Sequence, residues 1–345
     1  MTNNIIQQTF ETNKWVGHFF KPLQNSKVWL LLVCLVVVTS CSKIYNEEAA
    51  GNLVPPTAEQ DPFLPQIKIT VAGHSRAIHL QTFGNPANPP VFILHGGPGA
   101  DFKLLLPLKQ LADKFYVVVW DSRGAGLSER VTKDELTIES FDEEVAKVET
   151  AIAPERKVNL IGHSFGGNVM AKYAAKHPAD VNKLILITPG KLDLASEATS
   201  NGGAISFFDG QDFFWQNEIL SSKDHASADY KAIEVLPKSS RHWTCDNSII
   251  TNYPFWRFGS YHYYIVQKNV SKLASNYKWI TGIENFGGPI TIITGTCGAE
   301  SLDFQNINLR SVPGADLKII TGAGHISLFT DFADSTIAAV RAALN

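Results

Sequence analysis

The sequence predicts an α/β fold: a mostly parallel central sheet flanked by helices, with a largely helical segment inserted after the sixth strand. Three observations predict it. Short continuous apolar runs recur, such as Val91-Phe92-Ile93-Leu94 and the Ile-rich stretch Pro289 to Thr294, as expected of strands buried on both faces. Between such runs lie stretches with apolar residues at helical spacing, as in Ile138 to Ile152, and this alternation is the pattern of a doubly wound sheet. After Pro189-Gly190 the alternation stops until about Gly288, and aromatic residues collect instead, among them Trp215, Trp243, Phe255, Trp256, Tyr263 and Trp279. That marks an insertion over the sheet's C-terminal edge, where ligands of such sheets bind.

The chain begins with a leader. Val28 to Thr39 is almost wholly apolar, preceded by Lys21 and Lys27 and followed by Ser40-Cys41. About a dozen residues fall short of the ~20 that cross a bilayer as a helix, so a signal-peptide core fits better. Small residues before a cysteine resemble the lipobox of bacterial lipoproteins. That resemblance implies an exported protein, lipid-anchored through Cys41 to a bacterial membrane; a short membrane anchor with Cys41 unmodified is the alternative. The expected organisation is a signal peptide over 1–40, a flexible Pro-, Glu- and Ala-rich tether over 41–65, a core over 66–188 and 289–345, and a cap over 189–288.

Removing 1–40 takes away three lysines and one glutamate and moves the net charge from −3 to −5. A mildly acidic chain without a basic run gives no electrostatic case for binding nucleic acid. Cys245 and Cys297 remain beside Cys41. In an oxidising compartment they form one disulfide or stay as two buried thiols, and spacing does not choose between these.

Within the core, strands are expected over Gln66 to Ala72, Arg76 to Phe83, Val91 to Leu94, Phe115 to Trp120, Lys157 to Ile161, Lys183 to Thr188, Pro289 to Thr294 and Leu317 to Thr321. Helical stretches are expected over Lys103 to Lys114, Ile138 to Ile152, Asn168 to His177 and Asp331 to Leu344. Gly162-His163-Ser164-Phe165-Gly166-Gly167 joins a strand to a helix. A serine flanked by glycines at i−2 and i+2 suits a sharp turn that lifts its hydroxyl clear of the sheet, making Ser164 the candidate nucleophile. His95-Gly96-Gly97-Pro98-Gly99 follows a buried strand. Consecutive glycines there let a backbone N–H approach a developing oxyanion, and the N–H groups of Gly97 and Phe165 are the candidate donors. His95 is expected to brace this loop.

Together with Asp121-Ser122-Arg123-Gly124-Ala125-Gly126-Leu127-Ser128, these motifs resemble the α/β-hydrolase superfamily, and His95 to Gly99 and Asp121 to Ser128 resemble its proline iminopeptidase branch. The resemblance implies the α/β-hydrolase fold, a Ser-His-acid triad and a cap after the sixth strand. Asp121 and Arg123 are expected to be an ion-paired support for the site. His325, on the Gly-rich loop Gly322-Ala323-Gly324, matches the family's general base. The acid departs from the pattern: Gly298 stands where the family carries an aspartate, three residues after Gly295. Glu300 is the first substitute, Asp303 the second, and Asp193 after the sixth strand the third.

The implied activity is that of a serine hydrolase cleaving a small ester or amide, either an aminopeptidase of the proline iminopeptidase kind or a carboxylesterase or lactonase. Its partner is a small-molecule or short-peptide substrate. An aminopeptidase also needs a carboxylate for the substrate amine, and Glu218, Glu234 and Glu284 are available without any being singled out. The reading of another class is a non-catalytic binding lipoprotein on the same fold. No metal-ligand spacing, phosphate loop or dinucleotide fingerprint appears, so no cofactor is implied.

Overall fold

Eight strands build one sheet in the order β1-β2-β4-β3-β5-β6-β7-β8. They are β1 (Gln66–Val71), β2 (His74–Phe83), β3 (Pro90–Leu94), β4 (Tyr116–Trp120), β5 (Val158–His163), β6 (Val181–Ile187), β7 (Ile290–Gly295) and β8 (Asp316–Ile320). The computed structural model describes residues 54–196, 225–239, 243–246, 255–298 and 300–345. The signal peptide, Cys41 and most of the expected tether therefore lie outside the described residues. β1 and β2 form an antiparallel hairpin, β2 also runs antiparallel to β4, and all other pairings are parallel. The hairpin turns at Ala72-Gly73, both with positive φ, which suits the twist of a two-residue connection.

Alternation along the central strands sends side chains to two cores. Phe92 and Leu94 of β3, Val118 and Trp120 of β4, and Leu184 and Leu186 of β6 face one side, against α1 (Ile138–Ile152) and α2 (Phe165–Lys176). Val91, Ile93, Val117, Val119, Ile185 and Ile187 face the other, against Leu104, Leu105 and Leu108 and against α6 (Ala333–Leu344). Every residue of β3, β5 and β7 is buried, which is why β3 reads as an unbroken apolar run and β5 and β7 as largely apolar ones; the buried Asn159 of β5 donates to the Pro90 carbonyl at 3.1 Å. Each large apolar side chain so buried contributes about 1.5–3 kcal/mol.

Two elements differ from expectation. The helical stretch after β3 is a 3₁₀ helix, Phe102–Asp113, with Pro107 inside it; proline cannot donate to a carbonyl one α-turn back and its ring crowds that turn. A helix not expected from the sequence, α5 (Leu302–Ser311), joins β7 to β8. Its polar residues Gln305 and Asn308 are buried and donate to the backbone oxygens of Pro189 and Gly190, so no apolar stripe announces it.

Between β6 and β7 the described residues hold α3 (Ala226–Ser239) and α4 (Ser260–Val270). Asp229 of α3 ties this segment to the core: its Oδ2 accepts from Arg130 Nη2 and from Arg257 Nε, each at 2.7 Å, and its Oδ1 accepts from the Ser260 N–H at 2.9 Å. Arg257 Nη1 donates to the Pro55 carbonyl at 2.9 Å. Val54, Thr57 and Ala58 are themselves buried. The expected tether over 41–65 is thus too long at its C-terminal end, because apolar Val54 and Ala58 find partners in the fold. Among the described residues, no helix is long and apolar enough to cross a membrane.

Candidate active site

Parallel strands deliver their C-terminal ends to one edge, and the predicted motifs meet there. Ser164 stands between β5 and α2 with φ +53° and ψ −125°, a backbone state costing about 1–3 kcal/mol for a residue with a Cβ. The surroundings enforce it. A Cβ on Gly166 would lie 2.4 Å from the His95 carbonyl oxygen, and one on Gly162 would lie 2.4 Å from that of Gly166. Only glycines let the strand, the turn and the preceding loop approach so closely. Ser164 is half-buried, its N–H donates to Ile187 O at 3.0 Å, and its carbonyl accepts from the Gly167 N–H at 2.8 Å.

The loop after β3 lies against this serine. A Cβ on Gly96 would sit 2.6 Å from Ser164 Cβ. Gly97 is exposed beside it with φ +121°, and Phe165 is the first residue of α2, where N–H groups lack intrahelical acceptors. The two candidate oxyanion donors therefore flank Ser164. His95 braces the loop: its Nδ1 donates to Gly96 O at 2.8 Å while its Nε2 accepts the Ser122 N–H at 3.0 Å. Burial, partly opposed by the Asp121 charge, pushes its pKa down and keeps that neutral tautomer. Asp101 accepts from the N–H groups of Trp256 (2.6 Å) and Arg257 (3.0 Å), which fastens the same loop to the inserted segment. Burial and then the neighbouring Asp121 hold the Asp101 carboxyl well above the usual carboxylate range.

Asp121 and Arg123 are both buried and both paired, but not to each other. Asp121 Oδ2 contacts His79 Nδ1 at 2.8 Å, and its oxygens accept from the N–H groups of Phe102 and Leu127. Arg123 Nε pairs with Glu144 at 2.8 Å. The expected ion-paired support is thus built from two partners outside this loop, Glu144 for Arg123 and His79 for Asp121.

His325 follows β8 and is 4% exposed. Its ring lies 4.5 Å from that of His163, the residue before Ser164, so it stands next to the elbow. Glu300 approaches it: Nδ1 to Oε2 is 3.8 Å. That is a charge contact rather than a hydrogen bond, and among the described residues neither atom has a hydrogen-bond partner. Burial lowers the His325 pKa, and the Glu300 charge partly offsets this. The other two acids do not reach it. Asp303 is exposed in the first turn of α5, where an N-terminal helix dipole favours it. Asp193 pairs with Lys278 at 2.9 Å.

Two neighbours of His325 had no sequence signal strong enough to find them. His163 is buried, its Nε2 lies 3.3 Å from the His325 carbonyl, and burial followed by the His325 charge pushes its pKa well below normal. Trp243 accepts the His325 backbone N–H on its carbonyl at 3.2 Å and sets its ring 5.6 Å from the imidazole. Cys245 and Cys297 form a disulfide with their Cα atoms 4.7 Å apart, which resolves the alternative left by the sequence.

Of the three glutamates available for a substrate amine, Glu284 is exposed beside Gly282, which packs near Ala175 at the C-terminal end of α2. Ser164 is at the other end of that 12-residue helix, about 18 Å away at 1.5 Å per residue. Glu218 and the Glu234 side chain lie outside the described residues. Many insertion aromatics pack structurally: Phe258 and Tyr263 join Ala232 and Leu236 in a small core of their own, and Trp279 meets Phe165 edge-on at 5.7 Å.

A family model described as "alpha/beta hydrolase fold" matches residues 89–332. A proline iminopeptidase of Heyndrickxia coagulans is 36% identical over 106 residues, covering 30% of this chain and 36% of the relative. One of Thermoplasma volcanium is 40% identical over 94 residues, covering 27% and 32%. The chain thus matches about a third of the length of these relatives. The enol-lactonase from Burkholderia xenovorans LB400 superposes with a TM-score of 0.58 at 20% identity, over 81% of this chain and 99% of that one, a likeness of fold. With the sheet order, the serine elbow and a family match over most of its length, this chain belongs to the α/β hydrolase fold family.

Proposed function

We propose that the protein is a serine hydrolase that cleaves a small ester or amide through an acyl-enzyme. The observation that carries this reading is Ser164 held at positive φ between Gly96 and Gly166, with the His325 ring 4.5 Å from that of its neighbour His163. In the proposed reaction Ser164 Oγ attacks the substrate carbonyl and His325 takes its proton, later giving it to the leaving alcohol or amine. The carbonyl oxygen becomes an oxyanion and is met by the Gly97 and Phe165 N–H groups. Water, deprotonated by the same imidazole, then attacks the acyl carbon and releases Ser164. Glu300 orients the imidazole and stabilises the imidazolium. Burial supports His325 as a base because it keeps the ring neutral near pH 7.

The matched segments of the two proline iminopeptidases favour an aminopeptidase. The carboxylesterase or lactonase reading draws on a different observation. The buried carboxylates Asp101, Asp121, Glu144 and Asp229 are all engaged in the fold, and Glu284 is remote. Residues 189–288 act as the cap in either case. The leader is proposed to export the protein and anchor it through Cys41. Labelling with a fluorophosphonate tests the class, with Ser164→Ala as control; a folded protein that leaves Ser164 unlabelled refutes it and favours a binding role. Comparing kcat/KM for a proline arylamide and a short-chain aryl ester separates the two substrate classes.

A further inference from the structure

The disulfide lies at the site rather than at a remote surface. Cys297 sits on the loop after β7 that leads to Glu300, and its N–H donates to Ala323 O at 3.1 Å, two residues before His325. Cys245 Sγ lies 2.9 Å from the Gly322 carbonyl oxygen. The Thr296 hydroxyl accepts the Gly322 N–H at 2.9 Å, so the acid loop and the histidine loop are stitched together directly. Residues 243–246 lie across both: a Cβ on Gly324 would come within 2.3 Å of the Trp243 carbonyl oxygen and 3.5 Å of Thr244 Cα. That same Trp243 carbonyl holds the His325 N–H.

We propose that Trp243 is a positioning residue for His325, and that the Cys245–Cys297 disulfide is what keeps it and the Glu300 loop in register. The proposal rests on the serine-hydrolase reading above. Its physical basis is the geometry of the acid. With Gly298 in place of a shorter, closer carboxylate, the Glu300–His325 contact is 3.8 Å and lacks a hydrogen bond to set its direction. At that distance the carboxylate does not fix the direction of the neutral imidazole, so its orientation has to come from other contacts. The backbone bond and ring of Trp243 and the ring of His163 supply those contacts. Cys245 belongs to the insertion, 52 positions before Cys297 in sequence, and the covalent bond ties residues 243–246 directly to the acid loop. Cys245 is exposed, so solvent reductants reach it. A dithiol such as dithiothreitol transfers two electrons and two protons to the bond, leaving two protein thiols and the cyclic disulfide of the reductant.

The test uses the full chain and two independent ways of opening the bond: dithiothreitol on the folded wild type, and the Cys245→Ser/Cys297→Ser variant. The readouts are the rate of fluorophosphonate labelling of Ser164 and kcat and KM on 4-nitrophenyl acetate as a function of pH. Near-UV circular dichroism and a melting curve monitor the fold. Opening the bond is expected to slow labelling and lower kcat between about tenfold and 100-fold, as misplacement by an ångström does, with KM little changed. The acidic limb should move to lower pH as the Glu300 charge recedes. Reoxidation should restore the wild-type rate, and a near-UV spectrum unchanged at the assay temperature throughout separates this loss from unfolding. Equal labelling rates and superimposable pH profiles for oxidised and reduced folded protein overturn the clamp while leaving the hydrolase reading intact. Failure of the oxidised wild type to label overturns both.

Discussion

Neutralising Glu300 isolates the weakest link of the proposed triad. At 3.8 Å, a carboxylate and an imidazolium attract by about 4 kcal/mol at an effective dielectric constant near 20. Glu300 is 25% exposed, and solvent screening reduces that to roughly 2–4 kcal/mol. The imidazolium exists only once His325 has taken the serine proton, so the loss falls on the transition state. Glu300→Gln should then lower kcat/KM by about 30- to 1000-fold, while Asp303→Asn, altering an exposed group in the first turn of α5, should change it by no more than about twofold. The pH profile adds a signed check. Burial lowers the His325 pKa and the Glu300 charge raises it, so removing the charge leaves burial unopposed. The base must be neutral to act, and activity is lost as pH falls through the folded-state pKa. The acidic limb of kcat/KM should therefore shift to lower pH in Glu300→Gln. The assay is initial-rate kinetics on an activated ester from pH 4 to 9. Equal, small losses in the two variants, or a limb that moves upward, would refute Glu300 as the partner of His325.

The remaining predictions concern stability and anchoring. His262 is buried, donates from Nδ1 to Arg123 O at 2.8 Å, and has its pKa pushed down to about 3 by burial. Between that value and the ordinary ~6.5, the unfolded chain binds a proton that the folded one does not, so stability falls as pH falls. From pH 7.5 to 5 this one group should cost about 2 kcal/mol. Urea unfolding should show a loss smaller by about that amount in His262→Gln, and equal losses in both proteins would remove His262 as the cause. Cys41→Ser should release the protein from the membrane fraction or leave its leader uncleaved, read by fractionation and mass; unchanged partition and processing would rule out lipidation at Cys41.

Much of the fold was legible because it is written locally. Strand β3 announces itself as an unbroken apolar run, and β5 and β7 as largely apolar ones, since both their faces are covered, and α1 shows its Phe141, Val145, Val148 stripe over one stretch of chain. The elbow is legible for a related reason: the conformation of Ser164 depends on neighbours two residues away, and glycines at 162 and 166 state the requirement. Where the inward-facing residues are polar, the signal fails. Helix α5 carries no such signal because its buried Gln305 and Asn308 serve backbone carbonyls of the loop after β6. The expected tether runs past its true end because a polar, proline-rich composition does not show that Val54 and Ala58 are buried.

By itself, then, the sequence determined the eight strands in chain order, the helices α1, α2 and α6, the candidate nucleophile, the glycine loop beside it and the candidate base, since each is specified by residues close together in the chain. Only the tertiary structure decided which of three acids lies by His325, that Asp121 and Arg123 serve different partners, that the rings of His163 and Trp243 lie beside the imidazole, and that Cys245 meets Cys297. Each of those is a contact between segments distant in sequence or pointing to different layers. Such contacts are set by strand register and by how loops cross the sheet edge, and a linear pattern carries no measure of either.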